Sequence, residues 1–211
     1  MYNIDHFMIA ANDLDTLEHH FTQLTGVPVA PGGSHPDLGT RNVLIATTSQ
    51  AYLELIAPDP ALEARSDLLE SIEVIKQPVV HRVIVLGSLE RFPAIVRAYE
   101  RSGVPAVVRP LSRATTSGEV LRWHLLMPAA RSPLGVFAPL FIDWGAATHP
   151  SRSLPPAPCT LTRVHARHPQ SAHIQALWQE IGFGLPVEQA DDAELSVELD
   201  TPRGRVVLRS A

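Results

Sequence analysis

The chain is poor in cysteine, lysine and charge. Among its 211 residues there is one cysteine, and Lys76 is the one lysine. A single cysteine excludes an intrachain disulfide framework and any metal centre built from several thiolates. Charged residues make up 18% of the chain and the formal net charge is −5, so no broad basic surface is available for phosphates. We therefore expect no nucleic-acid partner.

Long apolar runs and a basic leader are also missing. No apolar stretch approaches the roughly 18 residues that a membrane helix needs, and the first residues, MYNIDHFMIAANDL, contain no lysine or arginine. These absences predict a cytoplasmic protein without a membrane partner. With 45% hydrophobic residues, the composition is that of a chain with an ordinary globular core.

A pattern of strand, helix and further strands occurs three times along the chain. Each time a short β-like run precedes an amphipathic helix pattern and more β-like runs, with a period of roughly 75 residues. The Pro/Ser-rich stretch at 149–158 excludes regular structure and marks a boundary. The sequence predicts an α+β fold with units at about 1–60 and 79–148 in one domain, 1–152, and a third unit at 153–211.

Histidines and acids recur at matching places in the first two units. The runs IDHFMIA and VVHRVIV both have a histidine in third place, His6 and His81. The later runs YLEL and FIDW both have an acid in third place, Glu54 and Asp143. Because repeated units that pair about a pseudo-twofold axis bring matching positions together, we expect these side chains to converge. Two imidazoles and two carboxylates suit one divalent ion of Fe, Mn, Ni, Co or Zn.

A glycine-rich loop and a later strand supply further candidates. The stretch GGSHPDLGTRN, at 32–42, predicts a tight turn that makes His35, Thr40 and Asn42 available as polar pocket groups. In the run VLRWHLLMP, alternation along a strand allows either Trp123 or its two polar neighbours to face a pocket, and not all three. Both alternatives stay open at this point.

These stretches together resemble the vicinal oxygen chelate superfamily, which contains glyoxalase I, extradiol dioxygenases, methylmalonyl-CoA epimerase and the bleomycin- and fosfomycin-resistance proteins. The similarity covers about residues 2–152 and is greatest to the glyoxalase-like domain group. It is carried by IDHFMIAANDL, GGSHPDLGTRNVLI, YLELIAPDP, SRATTSGEVLRWHLLMP and APLFIDW. The resemblance implies two paired βαβββ modules that form a cupped mixed sheet with helices on its convex side. The third unit is then a degenerate, ligand-free βαββ unit that packs on this domain.

The resemblance also implies a site. The implied ligands of one divalent metal ion are His6, Glu54, His81 and Asp143. Asp143 is one methylene shorter than the glutamate common at that place, so a site of two histidines and one carboxylate is the alternative. Glu54 is the implied general base, Arg113 the anchor for an anion and Trp123 a wall of the pocket.

Three functions remain open from the sequence. The first is a metal-dependent isomerase or lyase that acts on a small oxygen-rich organic substrate by stabilising an enolate or alkoxide. The second is an iron-dependent dioxygenase. The third is a non-catalytic protein that sequesters a small molecule such as a drug. A fold alone does not decide among them. Pairing of the third unit with its counterpart in a homodimer is a further open alternative.

Overall fold

The computed structural model describes residues 3–114 and 120–211. Residues 115–119, which belong to the stretch SRATTSGEVLRWHLLMP, lie outside the described residues.

The first module consists of β1 (Ile4–Ala10), α1 (Leu14–Thr25), β2 (Ala30–His35), β3 (Thr40–Ile45) and β4 (Tyr52–Pro58). The link to the next module contains α2 (Asp67–Glu73). The second module consists of β5 (Val79–Leu86), α3 (Phe92–Arg101), β6 (Ala106–Ala114), β7 (Val120–Pro128) and β8 (Leu140–Asp143). The third unit consists of β9 (Thr160–His168), α4 (Ser171–Ile181), β10 (Val187–Gln189), β11 (Glu194–Thr201) and β12 (Gly204–Arg209).

The two modules form one eight-stranded sheet in the order β2-β3-β4-β1-β5-β8-β7-β6. In each module the first strand runs parallel to the last, β1 beside β4 and β5 beside β8, and the other neighbours are antiparallel. An antiparallel pairing of β1 and β5 joins the halves. The predicted α+β fold with a cupped mixed sheet is thereby confirmed. The third unit forms its own sheet, β10-β9-β11-β12, with one strand more than predicted.

Helix α1 illustrates how local sequence fixes an element. The carboxylate of Asp13 accepts a hydrogen bond from the Thr16 amide at 2.8 Å and so caps the first turn. Gly26 ends the helix with φ at 71°, a conformation that costs glycine little. Leu17 and Phe21 are buried against the sheet. Full burial of such a side chain contributes roughly 1.5–3 kcal/mol, so the apolar stripe directs the helix to the convex face.

Side chains of the large sheet divide between two apolar clusters because they alternate along each strand. The convex cluster contains Phe7, Leu53 and Val83, and it continues into the helices and the third unit, where Trp178 is fully buried. The concave cluster is smaller and includes Met8. The cup of the sheet is therefore lined mainly by apolar side chains. In the described part of the chain, no helix has the length and apolarity needed to cross a bilayer.

Candidate functional site

The seam between the modules contains two irregularities that decide which side chains meet. Strands β1 and β5 pair so that His6 lies opposite Ile84, and the register shifts at Asp5 on one strand and at His81 on the other. Such β-bulges insert one residue into a strand and redirect its side chain. The first bulge brings the Asp5 carboxylate beside the neighbouring His6 ring, although regular alternation would direct the two side chains to opposite faces.

His6 lies between two carboxylates. Its Nδ1–H donates to Asp5 Oδ1 at 2.6 Å, and its Nε2 lies 3.4 Å from Glu54 Oε2. The ring of Tyr52 stacks on His6 with 4.6 Å between centroids and 17° between planes. Asp5, His6 and Glu54 are 1%, 6% and 6% exposed. The three groups therefore interact in a poorly solvated environment, where their charges influence one another strongly.

The charges on this buried group stabilise one another. Burial is the largest single influence on each group and opposes ionisation, but it is outweighed by hydrogen bonds and by opposite charge. The carboxylates of Asp5 and Glu54 raise the pKa of His6 to about 9. His6, with help from His35 and Asn42, lowers the pKa of Glu54 to about 2. At neutral pH the site therefore contains an imidazolium cation between two carboxylates.

Asp5 has two further donors. Trp144 Nε1–H donates to Asp5 Oδ2 at 2.8 Å, and His149 Nε2–H donates to the same oxygen at 2.9 Å. The Ser151 amide donates to His149 Nδ1 at 3.2 Å, which leaves the ring proton on Nε2. Burial alone would raise the pKa of Asp5, but the hydrogen bonds from His149, His6 and Trp144 hold it far below its ordinary range. Asp5 thus orients His6 and balances its charge.

Glu54 is held in place by the glycine-rich loop. Asn42 Nδ2 donates to Glu54 Oε1 and lies 3.4 Å from His35 Nε2. His35 in turn contacts Thr40 Oγ1 through Nδ1 at 2.9 Å. Burial is the main cause that lowers the pKa of His35, so this ring is neutral and its Nε2 can accept the Asn42 N–H. The three predicted polar groups therefore form a chain of contacts behind Glu54.

Close approach of the backbone explains a glycine of this loop. A Cβ atom at Gly32 would lie 2.0 Å from Oδ1 of Asn42 and 2.6 Å from its carbonyl oxygen. The Gly33 amide uses the open space to donate to Asn42 Oδ1 at 2.8 Å. The Asn42 side chain is thereby fixed at both ends, and its amide nitrogen points to Glu54.

A cavity of about 50 Å³ lies over the pair of His6 and Glu54. Its wall is mainly apolar and aromatic, and Trp123 and Trp144 contact each other there with 5.4 Å between ring centroids. Arg113 also lines the cavity, and its charge helps to lower the pKa of His35. Of the alternatives left open by the run VLRWHLLMP, Trp123 faces this cavity and its polar neighbours do not line it.

His81 lies away from His6, which differs from the prediction. Its Nε2 contacts Ser71 Oγ at 3.0 Å, and burial, with a contribution from the charge of Arg82, lowers its pKa to about 3. The bulge at His81 removes it from the ladder, and Ile84 takes the position opposite His6. His81 and Ile84 are three positions apart, which corresponds to roughly 10 Å along the strand. Matching the two runs by their histidines could not reveal this shift.

Asp143 also differs from the prediction. On β8 the side chains of Leu140 and Ile142 face the concave cavity, so Asp143 belongs to the opposite set. Its carboxylate accepts hydrogen bonds from the amides of Leu89 at 2.7 Å and Gly145 at 2.8 Å. Asp143 therefore joins two backbone turns. The match between YLEL and FIDW is displaced by one residue, which reverses the face of every side chain.

The predicted four-ligand metal centre does not fit these residues. His6 Nε2 and Glu54 Oε2 are close enough to share an ion, since two bonds of about 2.1 Å place their donors about 3–3.4 Å apart. His81 and Asp143 face elsewhere. Within residues 3–114 and 120–211, no three histidine, cysteine, aspartate or glutamate side chains are arranged to hold a metal ion. The alternative of two histidines and one carboxylate uses His6, His81 and Glu54, and His81 lies away from the other two. His35 is nearer, but the Asn42 amide contacts both His35 and Glu54.

Sequence reasoning missed Asp5, Trp144 and His149. An aspartate inside the apolar run IDHFMIA was the available signal, because a buried carboxylate requires donors. The sequence does not indicate which donors those are, since Trp144 and His149 lie far away along the chain. Tyr52, which stacks on His6, was recognised only as part of the strand pattern.

Comparisons with known proteins agree with this architecture. A family model described as a glyoxalase-like domain matches residues 4–182. A hypothetical protein from Staphylococcus aureus shares the fold over 98% of this chain and 84% of its own, with a TM-score of 0.62 and 16% identity.

Methylmalonyl-CoA epimerases are also among the similar structures. A variant of the Streptomyces coelicolor enzyme in complex with 2-nitronate-propionyl-CoA has a TM-score of 0.49 and 20% identity over 70% of this chain and 97% of its own. The enzyme from Mycobacterium tuberculosis has a TM-score of 0.42 and 22% identity over 66% and 85%. No curated protein matches in sequence. The match of the family model over most of the chain establishes that this protein belongs to the glyoxalase-like domain family of the vicinal oxygen chelate superfamily.

Proposed function

We propose that this protein is an enzyme of the isomerase or lyase type that moves a proton on a small carbonyl compound. Glu54 acts as the base and His6 as the acid. The observation that carries the proposal is the 3.4 Å approach of His6 Nε2 to Glu54 Oε2 inside a small cavity. Paired groups whose surroundings drive their pKa values apart are the usual mark of divided acid and base roles.

The reaction begins when the substrate carbonyl oxygen accepts the Nε2–H of His6. Glu54 then loses part of its ion pair, which raises its pKa and makes its carboxylate a stronger base. The carboxylate takes the proton from the carbon next to the carbonyl, and the electron pair of the C–H bond moves through the new C=C bond to oxygen. The resulting enolate is stabilised by the imidazolium of His6. Return of the proton to another carbon or face completes an isomerisation.

Asp5 keeps His6 charged and fixed throughout this cycle. Its carboxylate faces Nδ1, on the side of the ring away from the substrate. A fixed donor needs little rearrangement when charge develops on the substrate oxygen, and acid–base groups of this kind contribute roughly 10²–10⁴-fold in rate. Asp5 is therefore a positioning residue.

The remaining candidates act on binding. Arg113 supplies a positive charge at the cavity, suited to a second oxygen of the substrate, and Trp123 supplies a flat apolar wall. His35 and Thr40 support Asn42, which holds the second oxygen of Glu54. The substrate class that fits this arrangement is a small oxygen-rich organic molecule.

Divalent metal ions are common in this superfamily. The donors of this chain fall short of the predicted set, so the proposed steps use side chains alone. Metal dependence is measured directly in the experiment below. Sequestration of a small molecule without turnover is the second candidate, because the contacting rings of Trp123 and Trp144 give the cavity an aromatic wall.

The experiment is hydrogen exchange in D₂O, followed by proton NMR of small carbonyl compounds: 2-oxo acids, hydroxyketones and thioesters. We expect the wild-type protein to exchange the proton next to the carbonyl of at least one compound. Glu54→Gln and His6→Gln should each slow this exchange roughly 10²–10⁴-fold. His81→Gln is the matched control, because His81 lies outside the cavity, and it should exchange at the wild-type rate.

The outcomes separate the candidates. Equal exchange by wild-type protein and Glu54→Gln would contradict the assigned base. Binding of a compound without exchange would favour sequestration. Protein dialysed against EDTA is tested in parallel, and exchange that disappears with EDTA and returns with one added ion would contradict a mechanism that uses side chains alone.

A further inference from the structure

A second cavity, of about 270 Å³, adjoins the one over His6. It lies between α2, β5 and the base of the hairpin formed by β6 and β7. The side chains common to both cavities are Leu38, Leu68 and Leu140. Leucine side chains can rotate, whereas backbone between the cavities would be a fixed barrier. The two spaces therefore share a wall to which three leucine residues contribute.

Arg82 lines this second cavity as a buried cation. The residue is 4% exposed, and its guanidinium donates to the carbonyl oxygens of His81 at 2.6 Å and Ala130 at 2.5 Å. Two carbonyls account for two of its five N–H groups. Among the described residues, no carboxylate oxygen lies within 4.0 Å of its nitrogens. Buried charges are ordinarily paired, so this arginine has the chemistry of an anion receptor.

The charges around the rim agree with this assignment. Arg109 is exposed on the wall of the cavity and has no ion pair with a described residue. Arg65 also lines the cavity, but Glu73 already binds it through two hydrogen bonds. Asp67 is the acid on the wall and is exposed to solvent. The cavity therefore has a buried cation at its base and a second cation at its entrance.

The position of Arg82 relates this cavity to the site. Arg82 lies two residues before Ile84 on β5, and Ile84 lies opposite His6. The side chains of Arg82 and Ile84 both belong to the concave face. Two residues of a strand span roughly 7 Å. A ligand that bridges the cavities would therefore lie along this strand, with its anionic group at Arg82 and its carbonyl at His6.

We propose that the cavity around Arg82 binds the terminal carboxylate or phosphate group of the substrate whose carbonyl is processed at His6 and Glu54. This inference rests on the proposed function, and it narrows the substrate class to an elongated carbonyl compound with an anionic end. Arg82 binds the anion through its guanidinium, and Arg109 adds attraction from the rim.

The test is a titration of the intact protein with sodium phosphate and, separately, with sodium acetate, at constant ionic strength adjusted with chloride. The arginine Nε–H signals are followed by NMR. We expect a saturable shift of the Arg82 signal with at least one ion. The ion that binds more tightly shows whether the anionic end of the substrate is a phosphate or a carboxylate. Arg82→Met should abolish saturable binding, and Arg109→Ala should weaken it roughly two- to fivefold. Arg131→Ala is the matched control, since Arg131 is exposed, pairs with Glu70 and does not line this cavity.

Absence of a saturable Arg82 shift with both ions, or equal binding by Arg82→Met, would overturn the inference. If Arg82→Met fails to fold, the wild-type Arg82 signal and Arg109→Ala decide the question, because Arg109 is a surface residue. Hydrogen exchange at His6 and Glu54 is measured separately. Exchange without anion binding rejects the anion pocket alone, and anion binding without exchange rejects the proposed reaction alone.

Discussion

Replacement of Asp5 by asparagine isolates the charge that keeps His6 a cation. The pKa of His6 is about 9 against an ordinary 6.5, a difference worth roughly 3 kcal/mol that is supported by two carboxylates. Asparagine removes one of these charges. It also offers one oxygen where Asp5 presents two to the donors of His6, Trp144 and His149, so at least one donor loses its partner at about 1–3 kcal/mol. We expect the pKa of His6 to fall by at least about one unit and the free energy of unfolding by about 2–4 kcal/mol.

The assay combines an NMR titration of the His6 ring with urea unfolding at pH 7. Asp143→Asn is the control, because Asp143 also accepts two hydrogen bonds but faces away from the cavity. It should cost stability and leave the His6 pKa unchanged. A His6 pKa that stays near 9 in Asp5→Asn would refute the view that Asp5 holds the imidazolium.

Two further predictions concern stability. Because folding raises the pKa of His6, protonated His6 stabilises the folded protein. This contribution is complete below pH 6.5 and is lost as the pH rises through about 9. In urea unfolding measured across this pH interval, the free energy of unfolding should fall by on the order of 3 kcal/mol for the wild-type protein and by much less for His6→Gln. An equal dependence on pH in the two proteins would contradict the raised pKa of His6. Gly32→Ala places a methyl group on Asn42 and should cost about 1–3 kcal/mol, while an unchanged Tm would show that the loop can yield without cost.

Much of the fold followed from the sequence because its signals are local. The cap at Asp13, the apolar stripe of α1 and the turn at Gly26 lie within one short stretch, so the complete signal for this helix is local. The repeated order of strands and helix also predicted the paired modules. The extra strand of the third unit, β10, has only three residues, which gives too short a pattern to recognise.

The site was harder to predict because it depends on register. Glu54 and Asn42 lie in stretches with a distinctive motif, and the structure brings them together. His81 and Asp143 looked equivalent to their partners by spacing alone. One bulge and a displacement of one residue direct both away from His6, and neither event leaves a mark in a period-two pattern. Asp5 was overlooked for a related reason, since regular alternation along β1 would place its side chain on the face opposite to that of His6.

The stretch that joins the two modules also belongs to the binding walls. Helix α2 contributes Leu68 to both cavities, and the Ser66 hydroxyl donates to the Leu38 carbonyl at 2.8 Å. Chain connectivity is therefore part of recognition. A circular permutant with new ends at 60–66 would retain every strand yet release the start of this helix, so both cavities would lose the same wall at once. The two modules are therefore not independent halves, because the segment that links them forms part of the wall of both cavities.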